Sequence, residues 1–197
     1  MSWGKKKKAP DIETIFIPAK QIKHSGGLKV AVYGDTETGK THFALTFPEP
    51  IYVIDTEYGT EPLLWKQPFK DKEIYVTHVV ELDKEGKVDI DRTIERVEWA
   101  MQAIVRNLPS KVEQLEPVAT IVIDSVSDIW SWLIDWLDKH ATRRLKDGKP
   151  MTTEFGIIND KYRNLIYAAI SRAAHVVLTA KMDDEWIEGR RTGRKKK

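Results

Sequence analysis

Hydrophobic positions along the chain fall into short continuous runs that alternate with helical stripes. Leu28, Val30, Ala31, Val32 and Tyr33 make an apolar run next to glycines, which reads as a buried strand. A loop over 34–39 leads to a short helix over 40–47, stopped by Pro48 and Pro50, since proline cannot extend a helix. Residues 51–54 form a second buried strand, closed by Asp55, Thr56 and Glu57, and 74–80 alternate and are β-branched, a third strand. Ile94, Val97, Met101, Ile104 and Val105 recur at helical spacing over 93–107, and Pro109 ends that helix. Residues 119–123 are a fourth strand ending in Asp124. A long helix from 126 to about 146 follows, with Val126, Ile129, Trp130, Leu133 and Leu137 on one face. Ile158, Tyr162, Leu165, Ile166, Ala169, Ile170 and Ala173 give another stripe, and 175–179 a fifth strand.

Strands that are apolar throughout and alternate with helices predict an α/β domain, a mostly parallel sheet covered by helices on both faces. The expected organisation is a basic arm and lead-in over 1–27, a core over 28–181 and a basic tail over 182–197. The chain ends in polar residues soon after the fifth strand, so the core is either minimal or cut short. Its 197 residues suit one domain, and 41% hydrophobic with 31% charged residues suits a globular one. No apolar run approaches the roughly 20 residues that span a bilayer, so no membrane partner is expected. No apolar stretch follows the N-terminal lysines as a secretory signal would require. The absence of cysteine removes disulfides, thiolate zinc sites and cysteine nucleophiles, and fits a cytoplasmic protein. The net charge of +2 is close to balance, but the basic residues are gathered at the ends. Lys5, Lys6, Lys7 and Lys8 open the chain, and Arg190, Arg191, Arg194, Lys195, Lys196 and Lys197 close it. Such runs either neutralise phosphates or stand as solvated tails.

The first loop carries the chemistry. Gly34-Asp35-Thr36-Glu37-Thr38-Gly39-Lys40-Thr41 matches G-x-x-x-x-G-K-[ST], between a strand and an apolar helix. Glycines let successive backbone N–H groups turn inward on phosphate oxygens, and the helix that begins at Lys40 and continues through His42 adds its positive end. Lys40 is suited to the β- and γ-phosphates of ATP, and the Thr41 hydroxyl to Mg²⁺. Asp124, at the tip of the fourth strand, is the candidate carboxylate on the metal side; its alternative role is a helix N-cap. Glu57, just past the second strand, is placed to hold and deprotonate an attacking water, or else is a solvated loop residue.

The stretches GDTETGKT, PIYVIDTEYGT, TIVIDSVSDIW and HVVLTAK resemble the ATPase core of the RecA/RadA superfamily. The likeness is to the short single-domain RecA-like NTPases of archaea, phages and viruses, RadA paralogues and phage annealing-type proteins among them. It implies a RecA-like P-loop fold, ATP hydrolysis with Mg²⁺, Glu57 as the catalytic carboxylate, homo-oligomers and action on single-stranded DNA in recombination, annealing or replication. One departure stands out. Where RecA-like recombinases place a glutamine that senses the γ-phosphate, this chain has Lys181, suited to the γ-phosphate or to a neighbouring subunit. The loops that face DNA in that family correspond here to 140–149, with Arg143, Arg144, Lys146 and Lys149, and to the tail with Arg190, Arg191 and Arg194. The bland reading puts Arg143, Arg144 and Lys146 in the last turn of the long helix, complementing its dipole. Phe16-Ile17-Pro18-Ala19 resembles the F-x-x-A clasp that links RadA-type subunits, or is a surface strand. Trp130 reads as core, with Trp132 and Trp136 covering an apolar edge or interface. His42, His78, His140 and His175 show no metal-ligand spacing. The rival functions are a nucleotide kinase, which the Asp55-Thr56-Glu57 element argues against, and a nucleotide-dependent switch or adaptor that does not hydrolyse.

Overall fold

A computed structural model describes residues 16, 18, 27–111, 116–187 and 190–196, the last two strands by their backbone alone. Five strands, β1 (Lys29–Gly34), β2 (Ile51–Asp55), β3 (Ile74–His78), β4 (Thr120–Asp124) and β5 (His175–Lys181), form one sheet in the order β1-β5-β4-β2-β3. Every pairing is parallel. The register sets Asp55 beside Asp124 and His78, and Gly34 beside Lys181, so the strand tips share one edge. In open parallel sheets that edge is where ligands bind.

Side-chain alternation divides the core in two. Ile54, Ile121, Ile123 and Val176 point to the face covered by α3 (Ile90–Asn107), α4 (Val126–His140) and α5 (Phe155–Ile170). Ile51, Val53, Val122 and Val177 point to the opposite face, covered by α1 (Lys40–Ala44) and by Phe69 from the segment after α2 (Glu61–Leu64). Fully burying one such aliphatic side chain contributes roughly 1.5–3 kcal/mol. Asp89 caps α3 by accepting from the Arg92 N–H, which starts that helix a turn before its first buried aliphatic residue. Beyond β5 the chain turns into a hairpin, β6 (Asp183–Ile187) with β7 (Arg190–Lys196), where the sequence suggested a tail.

Three expectations need correction. Strand β1 is not buried on both faces: it is the sheet edge, and Lys29, Ala31 and Tyr33 are exposed while Val30 and Val32 are half-buried. The three-helix layer seats on β2, β4 and β5 and takes no residue of β1 into its core. Helix α4 stops at His140 rather than near 146, because Arg144 turns back to bond the Asp138 carbonyl and, at 2.8 Å, the Gly148 carbonyl. Arg143, Arg144 and Lys146 therefore belong to a turn closed by pairing of Arg144 with Pro150, not to the last helical turn. Helix α1 ends at Ala44 rather than 47, its following carbonyls at Leu45 and Phe47 being taken by the Lys72 ammonium at 2.9 and 2.7 Å.

Among the described residues no helix is long and apolar enough to cross a membrane. Leu137→Ala, at a fully buried site, should cost about 2–5 kcal/mol, whereas Tyr33→Ala on the open edge strand should change stability by less than about 1 kcal/mol. Urea midpoints of the two variants check the contrast, and equal losses would place β1 inside the core.

Candidate active site

The phosphate-type loop leaves the tip of β1 and returns as α1. A Cβ at Gly34 would meet the Thr38 hydroxyl at 2.6 Å, and Gly39 caps α1 at φ 83, so both positions call for glycine. Inside the loop Thr38 Oγ1 donates to the Asp35 carbonyl at 2.8 Å. The Lys40 ammonium lies along the loop, donating to the carbonyls of Gly34 at 3.1 Å and Asp35 at 2.7 Å. Thr36 and Glu37 form the outer rim, Glu37 in the left-handed region at φ 65. The His42 ring packs edge-on against Phe69 with centroids 4.8 Å apart, and the residue is exposed and lines the cavity beside the loop.

Asp124 comes up from β4 beside this loop, 3% exposed. One carboxylate oxygen accepts from the Thr41 hydroxyl at 2.5 Å, and the other accepts from Thr179 of β5. Its backbone carbonyl accepts from the Thr56 N–H at 2.7 Å and the Thr56 hydroxyl at 3.0 Å. Asp124 is not the helix cap; Ser125 is, accepting from the Asp128 N–H.

Asp55 shapes the loop that carries Glu57. Fully buried, its carboxylate accepts from the N–H groups of Glu57 at 2.9 Å and Thr60 at 3.0 Å. His78 stands 3.8 Å from it, stacks on Tyr58 with centroids 4.4 Å apart, and meets Glu61 at 2.9 Å through Nε2. The Glu57 carboxylate pairs with the Lys181 ammonium, which also contacts Asp128 at 2.9 Å. Burial lifts the Glu57 carboxyl above the ordinary glutamate range, Asp128 adding to the rise and Lys181 opposing it. Burial presses on Asp128 in the same direction, but hydrogen bonds from Thr56 and Lys181 outweigh it and hold that carboxyl low. Burial also opposes the Lys181 charge, yet its two carboxylate partners keep that ammonium more firmly protonated than usual.

Thr36, Lys40, Thr41, Glu57 and Asp124 line one cavity of about 430 Å³, closed on another side by Pro62 and Leu63 of α2. That volume lies within the range of small-molecule sites. A hydroxyl and a carboxylate side by side are hard oxygen donors of the kind Mg²⁺ takes together with substrate phosphates. Among the described residues no group of three His, Cys, Asp or Glu forms a metal cage.

Sequence reasoning missed Asp55, Thr56, Asp128 and Thr179 as members of the site. Asp128 sits three residues after Ser125, a spacing that reads as an ordinary capping box, and only the sheet register brings it to Lys181. The basic candidates lie apart. Arg144 is engaged by Asp138 at 3.3 Å and Lys149 by Asp147 at 3.6 Å, while Arg143 and Lys146 are exposed. Arg190, Arg191 and Arg194 fall on β7. Of the clasp-like tetrapeptide, Phe16 and Pro18 are exposed, and Ile17 and Ala19 lie outside the described residues, as do Lys5, Lys6, Lys7, Lys8 and Lys197.

Residues 26–197 match the protein family described as an AAA domain. No curated protein matches. Among solved structures the chain is similar to a prototypical ATPase from the type III secretion system of pathogenic bacteria, at 12% identity and a TM-score of 0.49. The match covers 82% of this chain and 46% of that one, so the chain spans less than half that protein's length.

Proposed function

The chain belongs to the AAA domain family, and from that premise we propose that this ATP-binding P-loop ATPase hydrolyses ATP with Mg²⁺ at the shared tips of β1, β2, β4 and β5. The convergence of Lys40, Thr41, Asp124 and Glu57 on one cavity carries the reading. Loop N–H groups and the start of α1 hold the phosphates of ATP, with Lys40 on the β- and γ-phosphates. Thr41 and Asp124 hold Mg²⁺, which when bound supplies charge neutralisation at the phosphates. Glu57 orients the attacking water and accepts its proton, and the raised proton affinity of its carboxyl suits a general base. Lys181 supplies a further cation for the γ-phosphate. The Asp55 loop argues against a kinase, because it spends a buried carboxylate on fixing Glu57 beside the phosphate loop rather than on an acceptor pocket.

The partner is single-stranded DNA, in recombination, annealing or replication. Support comes from the exposed Arg143 and Lys146 in the turn after α4, and from the basic sequence of β7, the second strand of the hairpin that follows β5. The working form is a homo-oligomer. A groove of about 370 Å³ between the outer strand β3 and α3 is lined by Tyr52, Tyr75, Ala100, Ala103, Ile104 and Leu108, and its apolar lining suits Phe16 from a neighbouring copy.

Lys40→Ala should weaken ATP binding roughly ten- to hundredfold by removing a charge-assisted contact. Glu57→Gln should keep ATP bound but lose turnover, since an amide holds a water without taking its proton. Asp124→Asn should make turnover depend more steeply on Mg²⁺ concentration. Phosphate release and nucleotide titrations measure all three, and a Glu57→Gln protein with unchanged turnover would remove Glu57 as the general base. Deleting 190–197 should weaken single-stranded DNA binding for every sequence alike and flatten the log–log salt slope by about 0.7 per lost phosphate contact. An unchanged slope removes that segment from the DNA reading. Phe16→Ala should shift the chain toward monomer in light scattering; an unaltered mass would refute the groove assignment.

A further inference from the structure

Glu57 is not a free carboxylate here: it is ion-paired, and for it to take a proton from water the pair has to open. The partner, Lys181, is built to leave while its base stays. Its backbone N–H donates to Ser127 Oγ at 2.9 Å, and its Cα is paired in register with Gly34, one strand spacing of roughly 4.8 Å from the first glycine of the phosphate loop. The side chain is 38% exposed on a flexible four-carbon stem, so it can turn between carboxylate and phosphate without any movement of β5. Asp128 has no such freedom. Its Oδ2 accepts from the Thr56 hydroxyl at 2.7 Å and the Ser125 hydroxyl at 2.9 Å, leaving Oδ1 for Lys181 at 2.9 Å. Thr56 is tied in turn to the Asp124 carbonyl, to which its backbone N–H donates at 2.7 Å.

We propose that Asp128 is a positioning residue that anchors Lys181 as a movable counter-ion of Glu57, so that the terminal phosphate of ATP, by drawing off the ammonium, uncovers the base that attacks it. The inference rests on the reading of Glu57 as general base and adds the regulation of that base by its own substrate. The step balances simply. The water oxygen bonds to the γ-phosphorus, the bond to the bridging oxygen breaks with its electron pair leaving on ADP, and the water's proton passes to Glu57. Electrostatics favours the exchange, because a multiply charged phosphate competes well against one carboxylate for an ammonium. Once Lys181 has turned away, burial and the fixed charge of Asp128 both act to raise the proton affinity of Glu57. ADP, lacking the terminal phosphate, leaves the pair closed.

The test is a set of affinities for ADP and for a non-hydrolysable ATP analogue, measured on the full chain. Lys181→Ala should lose roughly tenfold or more in analogue affinity with ADP affinity unchanged, and Lys181→Arg should recover most of it. Glu57→Gln removes the competing partner, so analogue binding should tighten several-fold, and that gain should vanish in the Glu57→Gln/Lys181→Ala double variant. Asp128→Asn should lower the preference for analogue over ADP and reduce kcat more than it raises KM; a merely structural Asp128 would lower thermal stability and leave that preference intact. Should Asp128→Asn fail to fold, the Lys181 and Glu57 variants decide the matter alone. Additive effects of Glu57→Gln and Lys181→Ala, or an undiminished preference for analogue in Lys181→Ala, overturn the exchange. Unchanged ATP affinity in Lys40→Ala would instead overturn the ATP-site reading, and Glu57→Gln turning over normally would overturn the reading of Glu57 as general base on which the exchange rests.

Discussion

A buried carboxylate has to have its oxygens satisfied, and the way Asp124 meets that demand organises everything around it. One oxygen takes the Thr41 hydroxyl at the start of α1, the other takes Thr179 of β5, and the backbone carbonyl takes Thr56 beyond β2. Four of the five strand tips are thereby tied to one residue or to its immediate contacts. Removing an acceptor of this kind leaves buried hydroxyls unpaired, at about 1–3 kcal/mol each. Stability and the shape of the cavity thus depend on the same bonds.

The parallel register extends that constraint. Because all pairs run the same way, the tips of β1, β2, β4 and β5 emerge at one level, and the loops they feed meet over Asp124. Asp55 repeats the device one strand away, turning a buried charge into a template for the two N–H groups that shape the Glu57 loop. Asp124 lines the cavity while spent on these internal bonds, whereas Glu57, which also lines it, pairs with Lys181, and Lys181 in turn contacts Asp128.

The sheet was legible in the sequence because each central strand is apolar on both faces, a pattern that only a strand covered twice requires. The loop from Gly34 to Thr41 and the carboxylate at the tip of β4, Asp124, were legible because glycine, lysine and carboxylate at those spacings have few other uses. The extent of α4 was not, since its terminator is Arg144 folding back on Asp138, a contact invisible to helical periodicity. Asp128 and Thr179 were missed for a related reason. Each reads locally as a cap or a strand residue, and each acquires its partner only when β5 is laid against β4 and β1. The reading of β1 as buried failed because apolar content does not reveal whether a helix layer reaches the edge of the sheet.

That open edge has a mechanical consequence. Among the described strands β1 is held by a single ladder, to β5, whereas β4 is held from both sides. Local opening in proteins begins where such anchoring is thinnest. The strand that presents the phosphate loop is therefore the most weakly moored of those that build the cavity, and any ligand gripped by the loop and by Asp124 together acts as a rivet between the margin of the sheet and its centre.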